Sequence, residues 1–189
     1  MTAQPDDGLI RCSWASTDLY REYHDQEWGR PLTGAVALFE RMSLEAFQSG
    51  LSWLVILRKR ENFRRAFCGF DIESVARYTE ADVARLMADA GIVRNRAKIE
   101  ATIANARAAA DVDLSELLWS FAPPPRPVSL RPADASEIPA ATAESSAMAR
   151  ELKRRGFRFV GPTTAYALMQ ATGMVDDHLR TCWVPSIAR

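Results

Sequence analysis

Histidine and cysteine are the scarcest chemistry-bearing residues of this chain, two of the first and three of the second in 189 residues. Three thiols in a chain of that length build no disulfide framework, and they suit a reducing compartment. Net charge is missing as well. Lysine and arginine total 24 and aspartate and glutamate total 24, so the balance itself requires no polyanionic partner, and any nucleic-acid site has to be a local basic patch. No apolar run reaches transmembrane length, and the polar, acidic opening Met1–Gly8 carries no leader pattern. We expect a soluble, cytoplasmic protein with no membrane partner. Strand-type alternation of apolar and polar residues is also absent, which leaves an all-α fold.

What the chain does have is a 48% hydrophobic composition, enough for a real core, and we take residues 1–189 as a single compact unit. Thr17 or Asp18 caps a short helix through His24. Thr33 opens the next, with Val36, Phe39, Met42 and Phe47 at helical spacing. Gly50 ends that helix, and Ser52 starts another that buries Val55, Ile56, Phe63 and Phe67. Asp71 caps a helix from Ile72 to Tyr78, and Thr79 with Asp82 forms a capping box for one stopped at Gly91. Ile99, Ile103, Ala106 and Ala110 mark a longer helix, and Leu114 to Phe121 a short one. Six of the ten prolines fall within 122–139, which predicts an extended surface loop. Thr142 or Ser145 then opens a helix ended by Gly156, and a Gly-bounded turn leads to a helix capped by Thr163 or Thr164 and stopped at Gly173. A last short helix holds Asp177 to Cys182.

Three features carry candidate chemistry. Glu45 sits on an apolar helix face just before Gly50, while Trp53 opens the following helix and Arg58-Lys59-Arg60 closes it. Taken singly these are a solvated acid, a core ring and a wet helix face. Together they suit a pocket for a flat, polar-edged molecule attached to an anion. The further basic clusters, at Arg94, Arg96 and Lys98 and at Lys153, Arg154, Arg155 and Arg158, are each a solvated face or a phosphate track. The turn after Gly156 can aim successive backbone N–H groups at a DNA phosphate near the next helix N-terminus. An ordinary corner between two helices has the same pattern.

The third feature uses both histidines. Cys12 pairs with His24, and His178 with Cys182 at i, i+4, a spacing that puts thiolate and imidazole on one helical face and suits tetrahedral Zn²⁺. Four protein ligands leave no open position, so the ion would be structural, one per chain, joining the N- and C-terminal segments. Unrelated buried thiols and imidazoles are the alternative. Cys68 is assigned to the core.

Arg11-Cys12-Ser13-Trp14, Tyr23-His24-Asp25-Gln26-Glu27-Trp28-Gly29, the run from Glu45 through Gly50-Leu51-Ser52-Trp53 to Lys59-Arg60-Glu61-Asn62, Asp89-Ala90-Gly91-Ile92, Trp119-Ser120-Phe121, Lys153 through Gly161, and Asp177-His178 with Cys182 together resemble the DNA-3-methyladenine glycosylase I family. The resemblance spans nearly the whole chain. It implies a helix-hairpin-helix glycosylase fold, two helical subregions packed around a base pocket, with a zinc site, acting as a monomer on double-stranded DNA that contains alkylated bases. It implies hydrolysis of the N-glycosidic bond of N3-methyladenine after base flipping, leaving an abasic site. The implied zinc ligands are Cys12, His24, His178 and Cys182. The implied base pocket is Glu45, Trp53, Tyr23, Trp14 and Trp28, with Glu45 also catalytic, and the hairpin contacts to DNA are Gly156, Phe157, Arg158, Gly161 and Thr163. Asp176, in the run Val175-Asp176-Asp177-His178, is either a second catalytic carboxylate or an N-cap for the His178 helix. Two rival functions are a non-catalytic module that binds alkylated lesions and a metallohydrolase with catalytic zinc.

Overall fold

From Leu38 to Phe47 nine of ten side chains are buried, and a helix buried on all sides has to stand at the centre of its neighbours. In the computed structural model, which describes residues 7–186, that helix is α2 (Ala35–Gln48). It follows α1 (Asp18–Gln26) and precedes α3 (Trp53–Ala66), α4 (Ile72–Ala76), α5 (Glu80–Ala88), α6 (Arg96–Ala110), α7 (Leu114–Trp119), α8 (Ala143–Arg154) and α9 (Pro162–Ala171). Among the described residues there is no strand, and no helix is long and apolar enough to cross a membrane. The all-α expectation holds. Of the acidic opening, Met1 to Asp6 lie outside the described residues.

α2 packs against α3, α4, α6, α7 and α9, while α4 lies along α6 and α8 along α9. The main core runs through all of these, with a file of rings from Phe47, Phe63 and Phe67 to Phe70 and Tyr78 at centroid spacings of 4.6–6.3 Å. Cys12, Cys182 and Val184 form a second, smaller cluster with Trp14, Trp28 and Leu179. Two helix ends near the centre are satisfied from outside. The ammonium of Lys98, buried rather than part of a basic face, donates to the Phe47 and Ser49 carbonyls at 2.8 and 2.6 Å and closes α2. At the start of α3, Ser52 occupies the cap position without a side-chain bond, and the Leu54 N–H donates instead to the Tyr20 hydroxyl of α1 at 2.9 Å.

Several expectations are corrected. Gly34, with φ +92°, precedes the first turn of α2 in place of Thr33, and that turn projects beyond the core, so Val36 is exposed. α3 runs on past Arg60 to Ala66. α5 stops at Ala88 because Asp89 takes extended backbone; Gly91 has no left-handed role and instead offers its carbonyl to Lys59 and Asn62. Cys68 is exposed, not core: its backbone turns at φ +52° while Phe67 and Phe70 point inward. Gly161, followed by Pro162 at the first helical position, caps α9 where a threonine was expected. The Pro-rich segment has no α-helix but is not wholly superficial, since Arg131 is buried within it.

No helix forms from Asp177 to Cys182. The backbone there is bonded sideways, Arg180 N–H to the Pro132 carbonyl at 2.9 Å and Trp183 N–H to that of Ile10 at 2.8 Å. The C-terminal segment is thus laced to the Pro-rich loop and to the N-terminal segment. Gly173 is what lets α9 turn into it. It stands at φ +72°, and a Cβ there would lie 2.6 Å from the Arg30 carbonyl carbon and 2.8 Å from the Gly29 oxygen. Gly50, at φ +81°, has open space around it. Gly173→Ala is therefore expected to lose about 3 kcal/mol or more, through left-handed strain plus a backbone clash, and Gly50→Ala about 1 kcal/mol from strain alone. Urea denaturation of the two variants beside wild type checks the ordering.

Candidate functional site

Trp14, Tyr23, Trp28, Glu45 and Trp53 line one cleft of about 300 Å³. α1 supplies Tyr23, α2 supplies Glu45 and α3 supplies Trp53, so the corner at Gly50 brings the last two together as expected. The rings form a continuous wall: Trp14 meets Trp28 at 5.1 Å and Tyr23 at 6.1 Å, and Tyr23 meets Trp53 at 5.5 Å. Tyr20, Gln48, Ile138, Ala167 and Gln170 complete the lining. Tyr20 and Gln48 stand three residues from predicted members on the same helices, and that spacing could have found them. Gln170, on α9, gave no such signal.

Glu45 is buried and accepts no hydrogen bond among the described residues. Burial pushes its carboxyl up to about 7, against a downward pull from the Arg41 guanidinium one turn earlier on α2. Arg41 is itself buried, 5.1 Å from the Tyr23 ring centre and 5.5 Å from that of Trp53. It donates to the Tyr23 hydroxyl at 2.6 Å and to Glu27 at 3.1 Å, and Arg60 meets the same Glu27 carboxylate at 2.6 Å. Two arginines thus share one acid. Glu27 is held below the usual carboxylate range: burial pushes it up, and the Arg60 and Arg41 contacts more than offset that. An ionised Glu45 would bring this group to neutrality, and a cation entering the cleft would face a carboxyl group that burial shifts toward its neutral form.

The four sulfur and nitrogen atoms of Cys12, His24, His178 and Cys182 lie within 4.8 Å of one another, and all four residues are buried. Cys182 Sγ is 3.4 Å from His24 Nε2 and 3.5 Å from His178 Nδ1, and Cys12 Sγ is 3.7 Å from His178 Nδ1. Those separations match the roughly 3.3–3.8 Å edges of a tetrahedron with bonds of 2.0–2.3 Å. The outer nitrogens are engaged: His24 Nδ1 with the Asp25 carboxylate at 2.8 Å, and His178 Nε2 with the Trp28 carbonyl at 3.2 Å. Each imidazole so held turns its free nitrogen inward, the arrangement metal-binding histidines use. A hydrogen bond from Cys12 draws the Cys182 thiol toward thiolate, and the same bond with burial pushes Cys12 up. The group fits a metal ion. The cluster also touches the cleft, since the Trp14 ring packs on His24 at 5.2 Å and the Trp28 ring on His178 at 4.6 Å.

The other predicted residues lie apart from the cleft. Asp176 is in salt-bridge contact with Arg131 and accepts from the His178 N–H at 3.3 Å, so it caps a turn and not a helix. It lines a separate depression with Arg126 and Gly173. In the hairpin, Gly156 is exposed at φ +91°, but the Phe157 side chain is core and the N–H groups of both residues close the end of α8, bonded to the Lys153 and Leu152 carbonyls at 3.0 Å. Arg158 is exposed, although Asn105 bonds both its N–H (2.7 Å) and its carbonyl (3.0 Å). Gly161 carries no capping side chain and Pro162 no N–H; the N–H groups of Thr163 and Thr164 find no acceptor among the described residues. Much of the basic surface is internally paired: Arg154 and Arg155 with Glu151, and Arg96 with Glu80 and Glu100.

The sequence model of a family described as methyladenine glycosylase matches residues 14–185. DNA-3-methyladenine glycosylase 1 of Escherichia coli (strain K12) is 47% identical over a 180-residue alignment that covers 92% of this chain and 96% of that protein. A crystal structure of a 3-methyladenine DNA glycosylase I superposes with a TM-score of 0.87 at 43% identity, covering 92% of this chain and 98% of that one. A crystal structure of a variant of such an enzyme in complex with 3-methyladenine gives a TM-score of 0.84 at 35% identity, covering 92% of this chain and 96% of that one.

The raised Glu45 carboxyl makes a stability prediction with a definite sign. A folded-state value near 7 against an ordinary 4.5 means that the neutral form favours the fold, fully below about pH 4.5. That contribution, about 3 kcal/mol, is lost as pH rises through 7. Glu45→Gln is therefore expected to match wild type near pH 4.5 and to be more stable by up to about 3 kcal/mol at pH 8. Denaturation midpoints across that range check it.

Proposed function

We propose, from the premise that this chain belongs to the methyladenine glycosylase family, that its aromatic cleft is the pocket in which it excises 3-methyladenine. The enzyme hydrolyses the N-glycosidic bond of that base in alkylated DNA. The observation that carries the site assignment is the convergence of a buried carboxyl group, with no donor among the described residues, and five aromatic side chains on one cleft.

A base inside a duplex has to be swung out first, at roughly a few kcal/mol, and stacking on aromatic side chains returns about 1–3 kcal/mol per base. Trp14, Tyr23, Trp28 and Trp53 serve that purpose. N3-methylation makes adenine formally cationic, so the same rings favour it over the neutral base by about 1 kcal/mol or more. Glu45 gives up its proton on binding, accepts from the exocyclic amine and balances the charge. Undamaged adenine lacks that charge and leaves the carboxyl protonated. In the chemical step the C1′–N bond breaks with its electron pair passing to the ring, which becomes neutral; the sugar is left as an oxocarbenium, and water adds with loss of a proton. The lesion's charge makes it a good leaving group, so Glu45 acts in selection and charge balance, and Asp176, committed to Arg131, supports the metal-bearing segment.

Cys12, His24, His178 and Cys182 would hold one Zn²⁺, which would supply rigidity. The donors are buried and two pocket tryptophans rest on the His24 and His178 rings, so fixing those rings would fix the wall of the cleft. α8, the Gly-bounded turn and α9 form the helix-hairpin-helix unit that docks a monomer on double-stranded DNA. Its anion contacts are the N–H groups of Thr163 and Thr164 with Arg158 beside them, so binding falls with salt.

Release of free 3-methyladenine from methylated duplex DNA under single-turnover conditions tests the function; the lesion-binding module releases none. Glu45→Gln is expected to slow release at pH 8 by about 10- to 100-fold, the loss of one ionic hydrogen bond of roughly 1.5–3 kcal/mol. Wild-type lesion affinity is expected to rise as pH climbs toward 7 and to level off above it, while the Gln variant stays flat. Calorimetry at pH 6 in two buffers of different ionisation enthalpy should show a proton released on binding by wild type alone. Chelation is expected to cost helical signal and base release together, whereas catalytic zinc would lose release first.

A further inference from the structure

Gln170 and Gln48 both line the cleft, but only Gln170 is anchored. Its Nε2 donates to Asp177 Oδ2 at 2.9 Å. The same oxygen accepts from the Tyr166 hydroxyl at 2.6 Å, and Arg126 Nη2 donates to the other oxygen. Asp177 is 2% exposed, and a carboxylate facing three donors offers acceptors only. The Gln170 amide therefore cannot turn over: its NH₂ end belongs to Asp177 and its carbonyl oxygen, which has no partner among the described residues, is the end left for the cleft. Gln48 makes no such bond, and its amide can present either end.

We propose that Gln170 is a specificity-determining residue, a carbonyl acceptor locked toward the cleft that takes one N–H of the lesion's exocyclic amine while Glu45 takes the other. Asp177 is its positioning residue, acting through the amide and not on the base. The inference rests on the base pocket assigned above. An exocyclic amine carries two hydrogens, and a site with two fixed acceptors pairs both. A 3-methylated purine with a carbonyl at that edge, such as 3-methylguanine, puts oxygen against oxygen and leaves polar groups unpaired, the kind of mismatch that discriminates most strongly. Gln170 thus ranks 3-methylated purines by their 6-substituent, whereas the rings and the charge of Glu45 respond to methylation itself.

The test is single-turnover release of 3-methyladenine and 3-methylguanine from the same methylated duplex DNA by wild type and Gln170→Leu, which keeps the volume and removes the acceptor. Zinc content and a thermal melt are measured on the same samples. We expect the ratio of the two rates to shift about tenfold toward 3-methylguanine in the variant, the effect of one hydrogen bond of this kind. A merely structural role for Gln170 lowers both rates together and leaves the ratio at the wild-type value; that result, or no change in either rate, overturns the proposal. If Gln170→Leu fails to fold, Gln170→Met gives the same reading with a straighter chain. Asp177→Asn supplies an independent arm, because an amide at that position can donate and so lets Gln170 reverse; the ratio should move the same way with 3-methyladenine release still measurable. Wild type that releases neither base refutes the pocket assignment itself, an outcome distinct from an unshifted ratio.

Discussion

Holding a carboxyl group in the interior without a hydrogen-bond donor among the described residues is the constraint that organises this molecule. Glu45 lies on the helix against which five others pack, so nothing can move it outward without undoing the core. Its neighbours are arranged to tolerate it in either state. Arg41 and Arg60 converge on Glu27, leaving one positive charge unmatched, and the Arg41 guanidinium lies against both the Tyr23 and Trp53 rings, which also touch each other. The residual charge draws the Glu45 value down while burial draws it up, and the balance falls near neutrality. A group balanced there changes state readily when a cation arrives, which a fully paired carboxylate would not do.

The four-residue metal cluster is the second constraint, and it acts on the first through aromatic contacts. Trp14 and Trp28 are only partly buried and belong to no helix of the core; what fixes them is His24 on one side and His178 on the other. Gly29 shows how tight that contact is, since a Cβ on it would lie 2.8 Å from His178 Nε2. The C-terminal segment carrying His178 and Cys182 holds a turn of its own, Cys182 N–H to the Leu179 carbonyl at 2.8 Å, and otherwise takes its shape from Pro132, Ile10 and the Arg131–Asp176 pair. A segment of that kind gains from a crosslink, and on the proposed reading a metal ion on the thiolate and imidazole groups would provide it.

Much of this was legible in the sequence because it rests on local chemistry. Helix starts at Thr17, Asp71 and Thr142 follow from side chains that bond the next turn, and the stops at Gly50, Gly156 and Gly173 from positive φ. That Cys12, His24, His178 and Cys182 come together was legible because only two histidines exist to be assigned. The corrections share one cause, which is that a distant group replaced the local one. Lys98 closes α2 from α6, Tyr20 serves the α3 N-terminus that Ser52 leaves open, and Pro132 and Ile10 take the backbone bonds that a C-terminal helix would have kept. Phe157 fooled the reading of the hairpin for a related reason: a turn residue by sequence is a core residue once α8 and α9 close on it.

The cleft is also where these long-range substitutions meet function. Its acid and rings come from α1, α2, α3 and the segments flanking α1 and are legible in the first third of the chain, but the opposite wall comes from Ile138, Ala167 and Gln170. Those three carry no motif, because what matters in them is position. Ala167 and Gln170 are one turn apart on α9, whose other face packs on α8 and α2, so α9 can turn only a narrow strip toward the base. One small residue and one amide are what that strip presents. On the proposed reading the small residue leaves room for a flat ring, and among the described side chains of this wall the amide is the one able to hydrogen-bond a ring edge. A pocket of that kind would divide the work between its two sides: the α2 side would answer charge through a carboxyl that can gain or lose a proton, and the α9 side would answer shape and edge through an amide whose NH₂ end is already bonded to the buried Asp177.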